Sequence, residues 1–68
     1  NAGALARLAA RVLTLRGAAC TRPPAADAGK TLAGCGITDP SAGVPPETPV
    51  SGQTAAMVLE QVDRALAR

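Results

Sequence analysis

Residues 20–50 read CTRPPAADAGKTLAGCGITDPSAGVPPETPV, and this stretch decides how the rest of the chain can fold. It contains all six prolines, four of the seven glycines and both cysteines of the 68-residue chain. Proline and glycine interrupt regular structure and mark turns. The sequence therefore predicts a long irregular connector over residues 17–51, with one helix on either side of it.

The segment before the connector has the pattern of an amphipathic helix. Residues 4–16 are dense in Ala, Leu and Arg, which are good helix formers. Leu13 lies beside the main apolar stripe and widens the apolar face. Asn1 is suited to cap the start of this helix and Gly17 to end it. The apolar stripe itself consists of Leu5, Leu8, Val12 and Leu15.

A second helix is predicted over residues 52–67. Ser51 has the side chain of an N-cap, and Thr54 stands three residues later, where a capping box would have Glu or Gln. Glu60 and Arg64 form an i,i+4 pair in the favourable order. Apolar residues at a period of 3.6 form one face of this helix, namely Ala55, Val58, Leu59, Val62 and Leu66.

The predicted fold class is mainly α, with two amphipathic helices (about 4–16 and 52–67) packed as an antiparallel hairpin in one small domain. The chain has fourteen large apolar side chains and no aromatic one. Small domains with so little core are usually stabilised by disulfides, a metal or a partner. We therefore expect a larger protein complex to complete the core. The residues predicted to dock on it are Leu5, Leu8, Val12, Leu15, Leu32, Ile37, Val44, Val58, Leu59, Val62 and Leu66.

The connector itself is predicted to contain no helix of useful length. Pro23-Pro24 forces an extended entry, and residues 25–32 are expected to form one helical turn at most, with Asp27 near its start. Residues 44–49 are expected to be polyproline-like. So long a connector is unusual within a compact domain. We interpret it as an ordered strap on another protein's surface, and a disordered linker is the alternative. The anchors of the strap are Leu32, Ile37, Val44 and Val50.

The two cysteines, Cys20 and Cys35, are candidates for a disulfide. Their bridge would close a loop of about sixteen residues, worth about 3 kcal/mol in the chain-entropy model. An even cysteine count in a short chain with little core favours a bridge in an oxidising compartment. The alternative is two free thiols. The spacing is not a redox motif, and a chain without histidine offers few zinc ligands, so no metal and no cofactor are expected.

Two short matches to known motifs are interpreted as chance. Gly29-Lys30-Thr31 has the end of a phosphate-binding loop, but Pro24 stands where that motif requires glycine. Residues 32–35 read LAGC, the letters of a lipoprotein cleavage box. The continuous apolar stretch that a signal peptide needs upstream of that box is missing.

The residue inventory argues against an enzyme and against a nucleic-acid binder. With no His, Tyr or Trp, acid–base chemistry would depend on scattered carboxylates, one lysine or cysteines without a histidine to activate them. Four arginines in the first 26 residues, without stacking aromatics, are too few for a nucleic-acid footprint. No apolar run approaches the roughly 20 residues of a transmembrane helix.

The arginine-rich residues 4–16 have three interpretations. They are a helix of the mature protein, which we favour, an organellar targeting sequence retained as structure, or a helix on an anionic membrane surface. The absence of aromatic residues weakens the membrane interpretation.

The sequence favours a non-enzymatic accessory subunit of a larger protein complex, docked through its helix faces and the strap. The alternative is a secreted or periplasmic helical hairpin, stapled by its disulfide and acting as a ligand or inhibitor. An organelle or an oxidising compartment such as the periplasm, the intermembrane space or the extracellular space is expected.

Overall fold

The computed structural model describes residues 1–22 and 26–67, and in that part of the chain it contains three α-helices, one 3-10 turn and no strand. The elements are α1 (Ala2–Leu15), the 3-10 turn (Ala19–Thr21), α2 (Ala28–Gly34) and α3 (Gly52–Leu66). The mainly α prediction is confirmed, and the helices pack against one another. The radius of gyration is 10.9 Å, close to the value of about 11 Å expected for a compact chain of this length.

The predicted N-caps of the two long helices are both present. The Asn1 side chain accepts a hydrogen bond from the Ala4 N–H at 2.8 Å, and the Ser51 hydroxyl accepts one from the Thr54 N–H at 3.1 Å. Each bond satisfies one of the backbone donors that the first turn of a helix leaves without an intrahelical partner.

Helix α2 is longer than the single helical turn predicted for residues 25–32, and Asp27 lies at its start as predicted. The Asp27 carboxylate caps this helix by accepting hydrogen bonds from the Gly29 and Lys30 N–H groups at 2.7 and 3.2 Å. Isolated helices of this length are unstable in water, so α2 depends on packing against α1, where Leu32 is buried. Residues 23–25, which include the predicted extended entry at Pro23-Pro24, lie outside the described residues.

Helix α1 ends at the predicted glycine, in a Schellman motif. Gly17 has a φ of 70°, a left-handed conformation that costs other L-residues energy. The turn is closed by hydrogen bonds from the Ala18 N–H to the Leu13 carbonyl at 3.0 Å and from the Gly17 N–H to the Thr14 carbonyl at 3.1 Å. It returns the chain onto the core, where Ala18 is buried.

Helix α2 ends in the same motif. Gly36 has a φ of 73°, the Ile37 N–H donates to the Leu32 carbonyl at 2.9 Å, and the Gly36 N–H donates to the Ala33 carbonyl at 3.0 Å. Ile37 is thereby turned into the core beside Leu32. The chain thus uses the same device twice, each time to bury the residue that follows the glycine.

The core forms where the three helices meet. Helix α1 enters it through residues spaced by four, Leu5, Ala9 and Leu13. Of the predicted stripe, Leu5 is buried and Val12 is partly buried, whereas Leu8 and Leu15 are exposed. Leu13, which was predicted to widen the apolar face, is fully buried. The core-facing side of α1 is rotated from the predicted stripe toward Ala9 and Leu13, because alanine supplies part of its contact surface. The buried cluster consists of Leu5, Ala9, Leu13, Ala18, Leu32, Cys35, Ile37, Val58 and Val62.

The proline-rich segment 44–49 packs against the start of α1. The Ala2 N–H donates to the Thr48 carbonyl at 2.9 Å, and the Gly3 N–H donates to the Pro46 carbonyl at 2.8 Å. These bonds satisfy two more of the N-terminal donors of α1. The segment contains a turn, so the prediction of polyproline-like structure throughout it was wrong. It belongs to the fold of this chain.

Helices α1 and α3 run in the same general direction. Their beginnings are close, because α1 starts against residues 46–48 and α3 starts at Gly52. Their ends are also close, because residues 16–20 line a surface pocket together with Ala65 and Leu66. The predicted antiparallel hairpin was therefore wrong. The long connector and α2 carry the chain back to the end where α1 began.

Candidate protein-interaction surface

A disulfide joins the ends of the first two helices. Cys20 lies in the 3-10 turn that follows the Schellman motif of α1, and Cys35 is the C-cap of α2. Their Cα atoms are 4.9 Å apart and their sulfur atoms are bonded. Cys35 is buried in the core. The candidate bridge is therefore present in the structure, and it fastens the two glycine turns to each other.

The structure divides the predicted docking residues into three groups. The buried ones belong to the core of the chain itself and leave no surface for a partner, which also holds for two anchors of the predicted strap, Leu32 and Ile37. Only the exposed residues of the predicted docking set are therefore available to a partner. Buried are Leu5, Leu32, Ile37, Val58 and Val62; partly buried are Val12 and Leu66; exposed are Leu8, Leu15, Val44 and Leu59.

Two exposed leucines lie on the same side of α1. Leu8 is 52% exposed and Leu15 is 72% exposed, and a spacing of seven residues places them on one face of the helix. Val12 lies between them and packs partly against the core. A single exposed leucine is common on protein surfaces. This pair, however, extends the apolar surface of α1 from the core to the solvent-exposed side of the helix.

Helix α3 contributes an apolar stripe of its own. Leu59 is 37% exposed, and Ala55 and Leu66 lie on the same side of the helix, partly buried against the core. The opposite side of α3 faces the segment after α2, because the Gln61 side chain binds the backbone of Thr38 there. The buried residues Val58 and Val62 lie between the Gln61 side and the Leu59 side of the helix.

The stripes of α1 and α3 lie on two helices that pack against each other. Helix α2 covers the side of α1 where Ala10 and Thr14 line a pocket together with Ala28 and Thr31, and Arg7, Arg11 and Leu15 complete the α1 part of its lining. By helical position, Leu8 and Val12 lie away from that pocket, and Leu15 lies between Leu8 and the pocket. We group the two stripes as one surface, which we call the α1–α3 face. It consists of Leu8, Val12, Leu15, Ala55, Leu59 and Leu66.

The two edges of the α1–α3 face carry opposite charges. Arg7 and Arg11 lie along the outer edge of the α1 stripe, and Glu60 and Asp63 lie along the outer edge of the α3 stripe. Glu60 forms the predicted i,i+4 ion pair with Arg64. Within the described residues, neither Arg11 nor Asp63 has an ion-pair partner in the same chain.

A second concave surface was not anticipated from the sequence. A cleft of about 750 Å³ opens between α1, α2 and the loop over residues 39–46. Its lining includes Ala6, Ala33 and Ile37, together with Arg7 and Asp39. Alanines at the facing positions of α1 and α2 leave this space open, and only the packing of the two helices reveals it.

The described residues contain no group of three or more His, Cys, Asp or Glu side chains placed to hold a metal ion. None of the helices in this part of the chain is long and apolar enough to cross a bilayer. Comparisons with protein-family models, with curated proteins and with solved structures find no match for the chain.

Proposed function

We propose that this chain is a non-enzymatic protein-interaction subunit that docks on a protein partner through the α1–α3 face. The observation that supports the proposal is the placement of three exposed leucines, Leu8, Leu15 and Leu59, on that one face. The chain has only fourteen large apolar side chains, so leaving three of them on one surface is costly. A partner that covers them recovers about 25 cal/mol for each Å² of apolar surface removed from water.

The burial pattern distinguishes docking through helix faces from docking through an extended strap. Leu32 and Ile37, two anchors of the proposed strap, pack inside the chain and are not offered to a partner. Val44 is exposed in the loop over residues 39–46, on the cleft side of α1. Docking through helix faces therefore has stronger support than docking through an extended strap.

A second candidate function is a secreted or periplasmic ligand or inhibitor that folds without a partner. The observation that favours it is the Cys20–Cys35 bridge, which ties α1 and α2 around a core belonging to the chain itself. Disulfides persist in oxidising compartments, and small secreted domains often depend on them. The two candidates differ in whether the isolated, oxidised chain folds cooperatively.

Position-specific photo-crosslinking tests the docking proposal. One variant carries a photoreactive residue at Leu15 and a matched control carries it at Met57, which is also exposed but lies away from the α1–α3 face. After irradiation in an extract of the source organism, we expect a discrete protein adduct from position 15 and not from position 57. Excess wild-type chain should suppress the adduct, whereas excess L8Q/L15Q/L59Q chain should not. Equal adducts at both positions, or none, would contradict the proposal.

A further inference from the structure

The apolar and charged residues of the α1–α3 face occur at matching levels on its two helices. The surface pocket that Arg16 lines together with Ala65 and Leu66 places the ends of α1 and α3 at similar heights. Because the two helices run in the same direction, counting back from these ends places residues of similar helical position at similar heights. Counted from Ala2 and Gly52, Leu8 is the seventh residue of α1 and Leu59 the eighth of α3. A difference of one residue corresponds to about 1.5 Å along the axis.

The same correspondence holds at the end of the face and along its charged edges. Leu15 is the fourteenth residue of α1 and Leu66 the fifteenth of α3. Arg11 is the tenth residue of α1, and its height falls between those of Glu60 and Asp63, the ninth and twelfth residues of α3. The face is thus apolar along its middle, positive along one edge and negative along the other.

We infer that a second copy of this chain covers the α1–α3 face in a two-fold symmetric dimer, with α1 of each copy on α3 of the other. The inference rests on the proposed function, because it names the occupant of the same face. A two-fold axis parallel to the helices exchanges the two edges and keeps every residue at its height. Leu8 then meets Leu59 of the second copy, and Arg11 meets the Asp63 carboxylate.

Charge complementarity favours this arrangement over a second possible two-fold arrangement. An axis perpendicular to the helices would place α1 on α1 and bring the arginine edges of the two copies together. In the arrangement proposed here, both edges are complementary, and Arg11 and Asp63, which have no ion-pair partner among residues 1–22 and 26–67 of their own chain, each gain one. Complementary edges fix the orientation while the leucines supply the buried apolar surface.

The contact is expected to be weak and concentration-dependent. Three exposed leucines and their neighbours are a small patch compared with the roughly 800 Å² per partner of a standard interface. We therefore expect a dissociation constant between about 1 µM and 1 mM. Dimerisation in that range is visible by sedimentation equilibrium of the oxidised chain at low salt.

Charge reversal provides the decisive test. Arg11→Glu alone and Asp63→Arg alone should each weaken dimerisation about tenfold, because each places like charges opposite one another at both edges. The R11E/D63R double variant should recover the wild-type constant to within about threefold, since it restores the pairing with the signs exchanged. Leu15→Gln should also weaken dimerisation.

Matched controls separate this face from the rest of the surface. The reversals Lys30→Glu and Glu47→Lys, and the apolar-to-polar change Met57→Gln, alter exposed residues away from the face and should leave the constant unchanged. Circular dichroism verifies that every variant is folded. A wild type that stays monomeric at about 1 mM, or a double variant no better than the single reversals, would overturn the inference.

The crosslinking experiment distinguishes failure of this inference from failure of the proposed function. An adduct of two copies of the chain from position 15 supports the dimer. An adduct with a different protein, in a chain that remains monomeric, overturns the dimer and leaves the docking proposal standing. Absence of any position-specific adduct, together with a monomeric wild type, contradicts both.

Discussion

Two leucines of α1 that stand two positions apart have opposite surroundings, and they fix which side of the helix faces the core. Leu13 is fully buried, whereas Leu15 is 72% exposed. We expect Leu13→Ala to lower the free energy of unfolding by about 2–5 kcal/mol, because it leaves a cavity beside Val58 and Val62. Leu15→Ala should change it by less than about 0.5 kcal/mol. Urea denaturation measures both. If both substitutions lower the free energy of unfolding by the same amount, α1 is rotated so that the predicted stripe, which includes Leu15, faces the core.

A glycine at the end of α2 offers a second test at this scale. Gly36 has a φ of 73° and no atom within 4 Å of the position of an added Cβ. Gly36→Ala should therefore cost about 1–2 kcal/mol through backbone strain alone. The matched control is Gly52→Ala in the first turn of α3, where a Cβ also meets nothing. It should be neutral or stabilising by up to about 1 kcal/mol. If both changes have the same sign in thermal melts, the left-handed turn is not required.

At the scale of whole elements, one side chain connects α3 to the segment that follows α2. The Gln61 side chain accepts a hydrogen bond from the Thr38 N–H at 2.9 Å and donates one to the Thr38 carbonyl at 2.8 Å. A glutamine on a helix is usually read as a solvent-facing residue, and nothing in the local sequence points to a partner 23 residues away. This link holds α3 beside the Schellman turn of α2.

Gln61→Ala should loosen that link. Loss of the two hydrogen bonds is expected to cost about 1–2 kcal/mol and to speed exchange of the Thr38 amide proton. Gln53→Ala, at an exposed position in the first turn of the same helix, brings the same gain in helix propensity without the contact. Hydrogen exchange followed by NMR compares the two variants. Unchanged Thr38 exchange in the Gln61 variant would show that the side-chain contact does not form in solution.

The sequence predicted the elements better than their packing. Asn1, Gly17 and Ser51 marked the ends of the long helices because caps and glycine turns are local chemistry. The length of α2 was underestimated because its stability comes from burial of Leu32 and not from propensity. The face of α1 was only partly predicted because the periodicity considered large side chains alone, whereas Ala9 lies at the centre of the buried side.

The candidate surface was only partly predictable for a related reason. Leu8, Leu15 and Leu59 were among the predicted docking residues, but spacing alone did not separate them from those that the chain buries itself. Apolar periodicity shows that a helix face is covered, and it does not show whether the cover is the same chain or another. The direction of α1 relative to α3 decides that, and it depends on contacts far apart in sequence.

At the scale of the whole molecule, stability depends on the covalent link between two helix ends. The buried cluster contains no aromatic residue, and cores of such small domains rarely supply more than about 3–5 kcal/mol. The Cys20–Cys35 bridge closes a loop of about sixteen residues and is worth about 3 kcal/mol in the chain-entropy model. The bridge and the core therefore contribute comparable free energies, which makes the fold sensitive to redox conditions.

Reduction should accordingly remove much of the structure. We expect a reductant to lower the free energy of unfolding of the chain by about 3 kcal/mol, as followed by far-UV circular dichroism. The C20A/C35A variant should behave like the reduced chain, which separates loss of the bridge from other effects of the reductant. Without the bridge, α1 and α2 keep their caps but lose the link between their Schellman turns.

Each outcome of the thermal melt with and without reductant has a consequence for the proposed function. A cooperative melt that depends on the bridge favours an independently folding protein of an oxidising compartment, because only there does the disulfide persist. If the chain melts in the same way with and without reductant, the nine-residue buried cluster is sufficient to stabilise the fold and the bridge has another role. If the oxidised chain shows no cooperative melt, a partner must cover the α1–α3 face before the helices pack stably against one another. The fold would then belong to a complex, with burial of Leu8, Leu15 and Leu59 as part of its stability.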